Sequence, residues 1–143
     1  MEKIIVSKCL LGYPCRYDGK SVPCKEVIDL QDRYELIPVC PEQLGGLPTP
    51  RTPSERIGDK VIMKDGTDVT RQYNRGAEET LRLAKLFDIR TAILKSKSPS
   101  CGKGLIHDGT FEGGMTEGHG VPADLLMRTG IKVYTEEELD LLP

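Results

Sequence analysis

Two hydrophobic patterns alternate along this chain: short, nearly continuous apolar runs, and longer stretches in which apolar residues recur every three or four positions. The short runs are typical of strands buried on both faces, and they cover residues 3–8, 35–39, 91–95 and 131–134. The spaced pattern predicts one helix in each interval between successive strands, over about residues 23–33, 69–88 and 122–130. The chain therefore reads as alternating strands and helices.

This alternation predicts the fold class. Strands joined by helices form right-handed crossovers, which give a parallel sheet covered on both faces. We expect one α/β domain over residues 1–143, an open, mostly parallel sheet of Rossmann or flavodoxin-like type with helices on both faces and strand order 2-1-3-4. Ligands of such sheets bind at the carboxyl ends of the strands, so the functional site is expected there.

Several smaller elements are also predicted. Glycine next to a polar residue favours hairpin turns. One hairpin is predicted within residues 55–64, with its turn at Gly58-Asp59. A second is predicted to turn at Asp108-Gly109, between Leu105-Ile106 and Phe111. Residues 41–53 hold four prolines and two glycines, which predicts an irregular loop. Asp68 or Thr70 is the expected N-cap of the second helix.

Composition narrows the function classes. The net charge of −2 argues against a protein dedicated to binding polyanions, although three lysines near Cys101 (Lys95, Lys97 and Lys103) form a local basic patch. The N-terminus has no long apolar stretch and no run is long enough for a bilayer. We therefore expect a cytoplasmic protein without a membrane segment, in which disulfides are rare.

Three of the five cysteines follow three predicted strands, each next to a loop rich in glycine or proline: Cys9, Cys40 and Cys101. Because the carboxyl ends of parallel strands share one edge, these thiols are predicted to converge. Three soft thiolates indicate a metal site at that edge with one coordination position open. A cubane iron–sulfur cluster fits this donor set, and so do zinc and copper.

The remaining cysteines have different expected roles. Cys15 lies in the first loop, close enough to Cys9 to be a fourth ligand or a helper, whereas Cys24 lies on a helix face and is expected to be a packing residue. The spacings contain neither a zinc knuckle nor a CxxC pair. A zinc ribbon and a thioredoxin-like redox site are therefore disfavoured.

Polar residues near these cysteines are candidates for chemistry. Glu42 is either a group that activates water or moves protons beside a metal, or an ordinary solvated loop residue. Ser98 and Ser100 either hydrogen-bond a substrate or simply shape the Ser-Pro turn. Arg16 and Asp18 contact a ligand or pair with each other.

The two histidines lack metal-ligand spacing. His107 is expected at the surface of the second hairpin, and His119 has no assigned role. Neither GxGxxG nor a Walker A motif is present, so nucleotide-phosphate binding of those kinds has little support.

Several segments together resemble one known family. They are SKCLLGYPCRYDG (7–19), PVCPEQLGGLPTPRTPSE (38–55) and KSKSPSCG (95–102), followed by IHDGTFEG and GHGVPADLLMRTGIKVY. Their order closely resembles the short thiouracil/thiouridine desulfidase family, over nearly the whole chain. The resemblance implies a [4Fe–4S] cluster held by Cys9, Cys40 and Cys101, with the fourth iron open to the sulfur of a thiolated pyrimidine.

The resemblance also implies catalytic roles. Glu42 looks like the family's acid/base glutamate, and Ser98 like its active-site serine, with Ser100 equally close to the ligand cysteine. The loop expected to wall the pocket contains Gly45, Gly46, Pro48 and Arg51.

The implied reaction is hydrolysis without net redox, which turns a thiouracil or 4-thiouridine type substrate into uracil or uridine and sulfide. The expected partner is a small thiopyrimidine or a thiolated tRNA. Two other readings remain open: a non-catalytic carrier of an iron–sulfur cluster or of sulfur, and a zinc-stabilised module.

Overall fold

The computed structural model describes residues 1–143. The strands are β1 (Glu2–Ser7), β2 (Tyr34–Val39), β3 (Ser54–Ile57), β4 (Lys60–Met63), β5 (Thr91–Leu94), β6 (Leu105–His107), β7 (Met115–Glu117) and β8 (Lys132–Thr135). The α-helices are α1 (Lys25–Ile28), α2 (Pro41–Leu44), α3 (Thr70–Leu86) and α4 (Val121–Arg128). Three 3₁₀ turns cover Lys8–Leu11, Asp29–Asp32 and Leu139–Leu141.

The central sheet has four parallel strands in the order β2-β1-β5-β8. These strands are the four apolar runs of the sequence, and their order is the predicted one. In the register, Ile5 of β1 lies opposite Ile37 of β2 and Ala92 of β5. The prediction of an α/β protein with a parallel sheet is confirmed.

The alternation of side chains along the strands builds a core on each face of the sheet. Ile5 and Leu94 are fully buried and pack with residues of α3 and α4. Ile4, Val6 and Ile93 are also fully buried, and they belong to a second cluster with residues of α1 and the 3₁₀ turn after it. Successive side chains of a strand point to opposite faces, so both faces are covered by helical segments.

Two helical segments differ from the expectation. The helix predicted over 23–33 divides into α1 and the 3₁₀ turn Asp29–Asp32. The segment 41–53 is not wholly irregular, because Pro41–Leu44 forms the single turn of α2. Proline suits the first position of a helix, where its missing N–H has no partner to lose. This turn follows directly after Cys40.

The hairpins are partly as predicted. β3 and β4 pair around Gly58-Asp59 as expected. The second hairpin is wider, because β6 pairs with Met115–Glu117 rather than with the segment around Phe111. The Asp108 carboxylate accepts hydrogen bonds from the N–H and hydroxyl of Thr110, which adds a local turn between the two strands.

The start of α3 also differs in detail. Val69 occupies the N-cap position, where it makes no side-chain capping bond. Asp68 lies one residue earlier, and its carboxylate accepts a hydrogen bond from the Thr70 N–H at 2.9 Å. The predicted N-cap residues therefore bracket the actual one, and Asp68 still satisfies one of the free amides of the first turn.

Two glycines allow α2 to lie against α3. A Cβ built on Gly76 would overlap the backbone carbonyl of Pro41, and one built on Gly45 would overlap the carbonyl of Gln72. Close-packed interiors do not accommodate such overlap without backbone movement. These contacts set the position of α2, and with it the loop that begins at Cys40.

None of the helices is both long and apolar enough to cross a bilayer.

Candidate functional site

A cavity of about 420 Å³ lies at the carboxyl edge of the parallel sheet. Its wall includes the ends of β1 and β2 and the loop that follows β5, which contribute Ser7, Val39 and Ser96. Four of the five cysteines line it: Cys9, Cys15, Cys40 and Cys101. The convergence expected from three strand ends is therefore present, and Cys15 joins it. The fifth, Cys24, is outside the cavity wall, where its thiol faces Glu26.

Local structure after each strand positions the three cysteines of the expected ligand set. Cys9 lies in the 3₁₀ turn that follows β1, and Cys40 is the N-cap residue of α2, directly after β2. Cys101 lies in a turn that Ser98 stabilises, because the Ser98 hydroxyl accepts hydrogen bonds from the N–H groups of Ser100 and Cys101, both at 3.1 Å. Each thiol is at most 8% exposed.

Two of the thiols have identifiable hydrogen-bond partners. The Cys101 sulfur accepts a hydrogen bond from the Ser7 hydroxyl at 3.2 Å, and Ser7 in turn accepts one from the Lys95 N–H at 2.9 Å. The Cys40 thiol lies 3.8 Å from the carbonyl oxygen of Cys15. All five cysteines are free thiols.

The donors at this cavity are mainly thiols. Four buried cysteines line it, and no group of three or more His, Cys, Asp and Glu side chains is arranged to hold a single metal ion. Thiolates are the ligands of iron–sulfur clusters, so the chemistry of the donor set fits such a cluster.

Two of the cavity thiols, Cys40 and Cys101, have a raised pKa. Burial raises the pKa of the Cys101 thiol to about 12, and the negative charge of Glu42 adds to the effect. A hydrogen bond with Cys15, followed by burial, raises the pKa of Cys40 well above its usual value. Because metal centres bind the thiolate, loading this site must release protons.

Glu42 is the second residue of α2 and is not a solvated loop carboxylate. One of its oxygens forms an ion pair with the Arg51 guanidinium, and the other accepts a hydrogen bond from the Ser100 hydroxyl. The side chains of Glu42 and Arg51 are only 13% and 3% exposed. This position excludes the alternative of an ordinary solvated loop residue.

Arg51 is held by several acceptors. Its guanidinium donates to the carbonyl oxygen of Cys15 at 3.1 Å, to the Thr49 hydroxyl at 3.1 Å and to the carbonyl oxygen of Pro48 at 3.2 Å. Burial acts to lower the pKa of Arg51, but the charge of Glu42 and its hydrogen bond, with smaller contributions from neighbouring groups, together outweigh it, so the net pKa is raised. Arg51 thus fixes Glu42 and the Cys15 loop together.

The two candidate serines occupy different positions. Ser98 lines the cavity, whereas Ser100 is fully buried behind it. Their hydroxyl oxygens are 2.9 Å apart, so a hydrogen-bonded chain runs from Ser98 through Ser100 to Glu42. Ser98 is the serine placed to meet a ligand, and Ser100 connects it to the carboxylate.

The loop expected to wall the pocket contributes less than predicted. Arg51 lines the cavity, but Gly45, Gly46 and Pro48 do not. Gly45 is instead used for the close contact between α2 and α3. Gly45 therefore serves helix packing, whereas Gly46 has a positive φ of 95° and no close neighbour.

Some of the charged residues singled out in the sequence line the cavity, and others do not. Arg16 lines the cavity and also pairs with Asp18 at 3.9 Å, so the two readings of this pair are compatible. Lys95 and Lys97 line the cavity, whereas Lys103 forms an ion pair with Glu138 at 3.2 Å. His119 accepts a hydrogen bond from the Gly104 N–H outside the cavity wall.

The polar residues of the cavity wall that sequence reasoning missed include Ser54, Tyr73 and His107. Tyr73 lies on α3. It is buried, and burial together with the charge of Glu42 raises its pKa. His107 was expected at the surface, and that expectation is wrong. No local sequence signal could have found them, because distant segments bring them to the cavity.

Unpaired polar atoms are concentrated at this cavity. Three buried side-chain atoms lack a hydrogen-bond partner: Arg51 Nε, Ser54 Oγ and His107 Nδ1. Ser54 Oγ approaches the Tyr73 hydroxyl but does not reach hydrogen-bond geometry with it. All three residues line the cavity, and buried polar groups are nearly always paired in folded proteins. The cavity is therefore suited to a ligand with polar groups.

The fold and cavity define an α/β protein with a buried, thiol-lined pocket at the carboxyl edge of its sheet. A family model described as 2-thiouracil desulfurase matches residues 4–138. The chain belongs to this family, which confirms the resemblance found in the sequence motifs.

Two relatives illustrate the similarity. The uncharacterized protein YbbK of Bacillus subtilis (strain 168) is 42% identical in an alignment of 147 positions, and the alignment covers 96% of this chain and 97% of YbbK. The structure of the [4Fe-4S]-dependent thiouracil desulfidase TudS matches with a TM-score of 0.94 and 48% identity, over 99% of this chain and 95% of TudS.

Glu136 anchors the loop that carries Ser98 and Cys101. Its carboxylate accepts hydrogen bonds from the N–H and hydroxyl of Ser96 at 2.7 and 2.9 Å, and it pairs with Lys95 at 3.0 Å. Burial acts to raise the pKa of Glu136, but the Ser96 and Lys95 contacts outweigh it, so the net pKa is lowered. This carboxylate therefore stabilises the fold in its ionised form.

We predict that Glu136→Gln lowers the free energy of unfolding at pH 7 by about 1–3 kcal/mol, because hydrogen bonds to a charged acceptor are lost. Since the folded pKa is depressed, the contribution is present above the unfolded value of 4.5 and disappears as the pH falls through the folded value. Urea unfolding of the wild type and the variant at pH 7 and pH 3 measures the loss of stability and its dependence on pH. The exposed Glu137→Gln is the control. If the wild type and Glu136→Gln differed in unfolding free energy as much at pH 3 as at pH 7, the account would be contradicted.

Proposed function

We propose that this chain, acting as one domain over residues 1–143, is a [4Fe–4S]-dependent desulfidase. Its reaction is the hydrolysis of a thiolated pyrimidine, of thiouracil or 4-thiouridine type, to uracil or uridine and sulfide without net redox. The observation that carries this proposal is the buried Glu42 carboxylate at a cavity lined by cysteines from three strand ends. Family membership and the likeness to TudS support it.

Cys9, Cys40 and Cys101 are the proposed cluster ligands, since each follows a strand at the shared edge. Three thiolates leave one iron without a cysteine ligand, and when bound the cluster supplies that iron as a Lewis acid and acceptor for the substrate's sulfur. Cys15 is the remaining thiol of the cavity. Its carbonyl oxygen accepts from Arg51, which suits a helper that holds the first loop in place.

Glu42 is the proposed acid/base group. In its ionised form it can take a proton from a water molecule that attacks the thiocarbonyl carbon, and return that proton to the departing sulfur. Arg51 forms an ion pair with the carboxylate and fixes its orientation. The balance is one thiocarbonyl and one water converted to one carbonyl and one hydrogen sulfide, so no electron donor is consumed.

Ser98 is the proposed substrate-orienting serine. It lines the cavity, and its hydroxyl is linked through Ser100 to Glu42. A hydroxyl in this position can hydrogen-bond the pyrimidine ring or stabilise charge that develops during attack. Ser100 acts through Ser98 and Glu42, because it is fully buried behind them.

The cavity volume of about 420 Å³ lies within the range of small-molecule sites and suits a pyrimidine base or nucleoside. Lysines line it as well: Lys8, Lys64, Lys95 and Lys97. They would meet phosphate groups if the thiopyrimidine is carried on a nucleotide or a tRNA. A small thiopyrimidine is the proposed minimal substrate, and thiolated tRNA is the larger alternative.

The test uses protein purified and reconstituted without oxygen. We expect a brown protein with about four irons per chain, which converts 2-thiouracil or 4-thiouracil to uracil and an equal amount of sulfide with no added reductant. In ¹⁸O-labelled water the uracil should carry the label. Parallel assays with 4-thiouridine and thiolated tRNA rank the substrates.

Three results would contradict this function. A colourless protein with stoichiometric zinc would support the zinc-stabilised module. Sulfur passed to another acceptor instead of being released would support a carrier. A reductant required in every turnover would exclude the hydrolytic reaction.

We predict that Glu42→Gln keeps the cluster but lowers kcat by about 100-fold or more, because the amide cannot take a proton from water. Iron analysis and the visible spectrum verify the cluster before activity is compared. The exposed Glu26→Gln is the matched control and should retain full activity. Near-normal turnover of a cluster-loaded Glu42→Gln protein would reassign the acid/base role, with Asp18 as the next candidate.

A further inference from the structure

His107 is a residue of the cavity wall that has no role in the chemistry described above. It is the last residue of β6 and lines the cavity, and its Nδ1 atom is buried without a hydrogen-bond partner. Imidazole can donate or accept a hydrogen bond, depending on which nitrogen carries the proton. His107 thus brings to the cavity wall, from the β6–β7 hairpin, a buried polar atom that no protein group satisfies.

The hairpin that carries His107 is fixed in place by Glu55. The Glu55 carboxylate accepts hydrogen bonds from the N–H groups of Gly109 at 2.8 Å and Phe111 at 3.1 Å. Glu55 is only 8% exposed. Glu55 lies in β3, which pairs with β4, and Val61 of β4 is buried in a cluster with Tyr73 of α3. The hairpin loop is therefore tied to the β3–β4 hairpin.

The tip of the hairpin also packs closely on β3. A Cβ on Gly109 would overlap the side chain of Ile57, so only glycine fits there. Phe111 has a positive φ of 59°, an uncommon conformation for a bulky residue, and its ring lines the cavity. Unusual backbone conformations persist where the surrounding contacts fix them. The hairpin therefore presents His107 and Phe111 to the cavity in a fixed arrangement.

The polar groups of the substrate that do not react also need hydrogen-bond partners in the cavity. In the proposed reaction the sulfur and the reacting carbon lie near the cysteines and Glu42. A pyrimidine has further ring N–H and carbonyl groups, and leaving them unpaired in a buried cavity would oppose binding. Apart from Arg51, the cavity residues with an unpaired polar atom are Ser54 and His107.

We propose that His107 is a specificity-determining residue, which hydrogen-bonds a ring N–H or a carbonyl at the polar edge of the pyrimidine while Phe111 contacts the ring itself. Glu55 is a positioning residue that acts through the hairpin. This inference rests on the proposed function, since it takes a thiopyrimidine as the substrate. A site built to hydrogen-bond its substrate also rejects analogues that lack the polar edge.

The test measures recognition separately from desulfuration. Uracil, which has no sulfur to lose, is titrated into cluster-loaded protein by anaerobic calorimetry. We expect His107→Leu to weaken uracil binding by about tenfold or more, the loss typical of a hydrogen bond left unmade in a buried site. The KM for 2-thiouracil should rise by a similar factor, with a smaller change in kcat.

Two further variants make the result specific. His107→Asn has a side chain of similar size to leucine but keeps a donor and an acceptor, so it should bind uracil more tightly than His107→Leu. Thr116→Val changes an exposed residue on β7 of the same hairpin and should bind uracil like the wild type. Circular dichroism and the melting temperature verify that each variant is folded.

The outcomes separate this inference from the proposed function. Equal uracil affinity of the leucine and asparagine variants, or wild-type affinity in the leucine variant, would overturn the role of His107 even if the wild type desulfurates thiouracil. No uracil binding by the wild type would overturn it too. Uracil binding that depends on His107 in a protein without desulfidase activity would support the inference and contradict the proposed function.

Discussion

A buried carboxylate connects the segments that make up this site. Glu42 pairs with Arg51 and accepts a hydrogen bond from Ser100, so the loops after β2 and β5 and the segment before β3 are joined at one point. Removing one partner of a buried ion pair costs about 3–5 kcal/mol, because the other charge is left uncompensated. The positions of Cys40 and Cys101, which lie in the same loops, therefore depend on this interaction.

Two other glutamates also hold neighbouring loops in place through their carboxylates. Glu136 binds Ser96 and so holds the start of the loop that ends at Cys101, and Glu55 binds two N–H groups of the β6–β7 hairpin. Irregular loops carry most of the cavity, and such loops cannot satisfy their backbone groups with sheet or helix bonds. Acidic side chains supply those bonds here, which makes the loops rigid enough to hold a site.

The sequence predicted what depends on local pattern and on general rules of topology. The four apolar runs form the parallel sheet in the expected order. Cys9 and Cys40, which follow β1 and β2, therefore lie at one edge of it. The contacts of Arg51 with Glu42 and the cavity position of His107 were not predictable. They depend on how loops fold over the edge, and the hairpin shape depends on Glu55, which lies 54 residues from Gly109 in the chain.

The central claim is that Cys9, Cys40 and Cys101 hold a four-iron cluster beside Glu42, with Cys15 outside the ligand set. Diffraction from crystals grown without oxygen, measured at the iron absorption edge, tests it most directly. The account predicts anomalous peaks for a cubane in the cavity, bonded to these three sulfurs, with one iron free of cysteine and facing Glu42. A cluster bonded to Cys15, or a single zinc ion in its place, would contradict it.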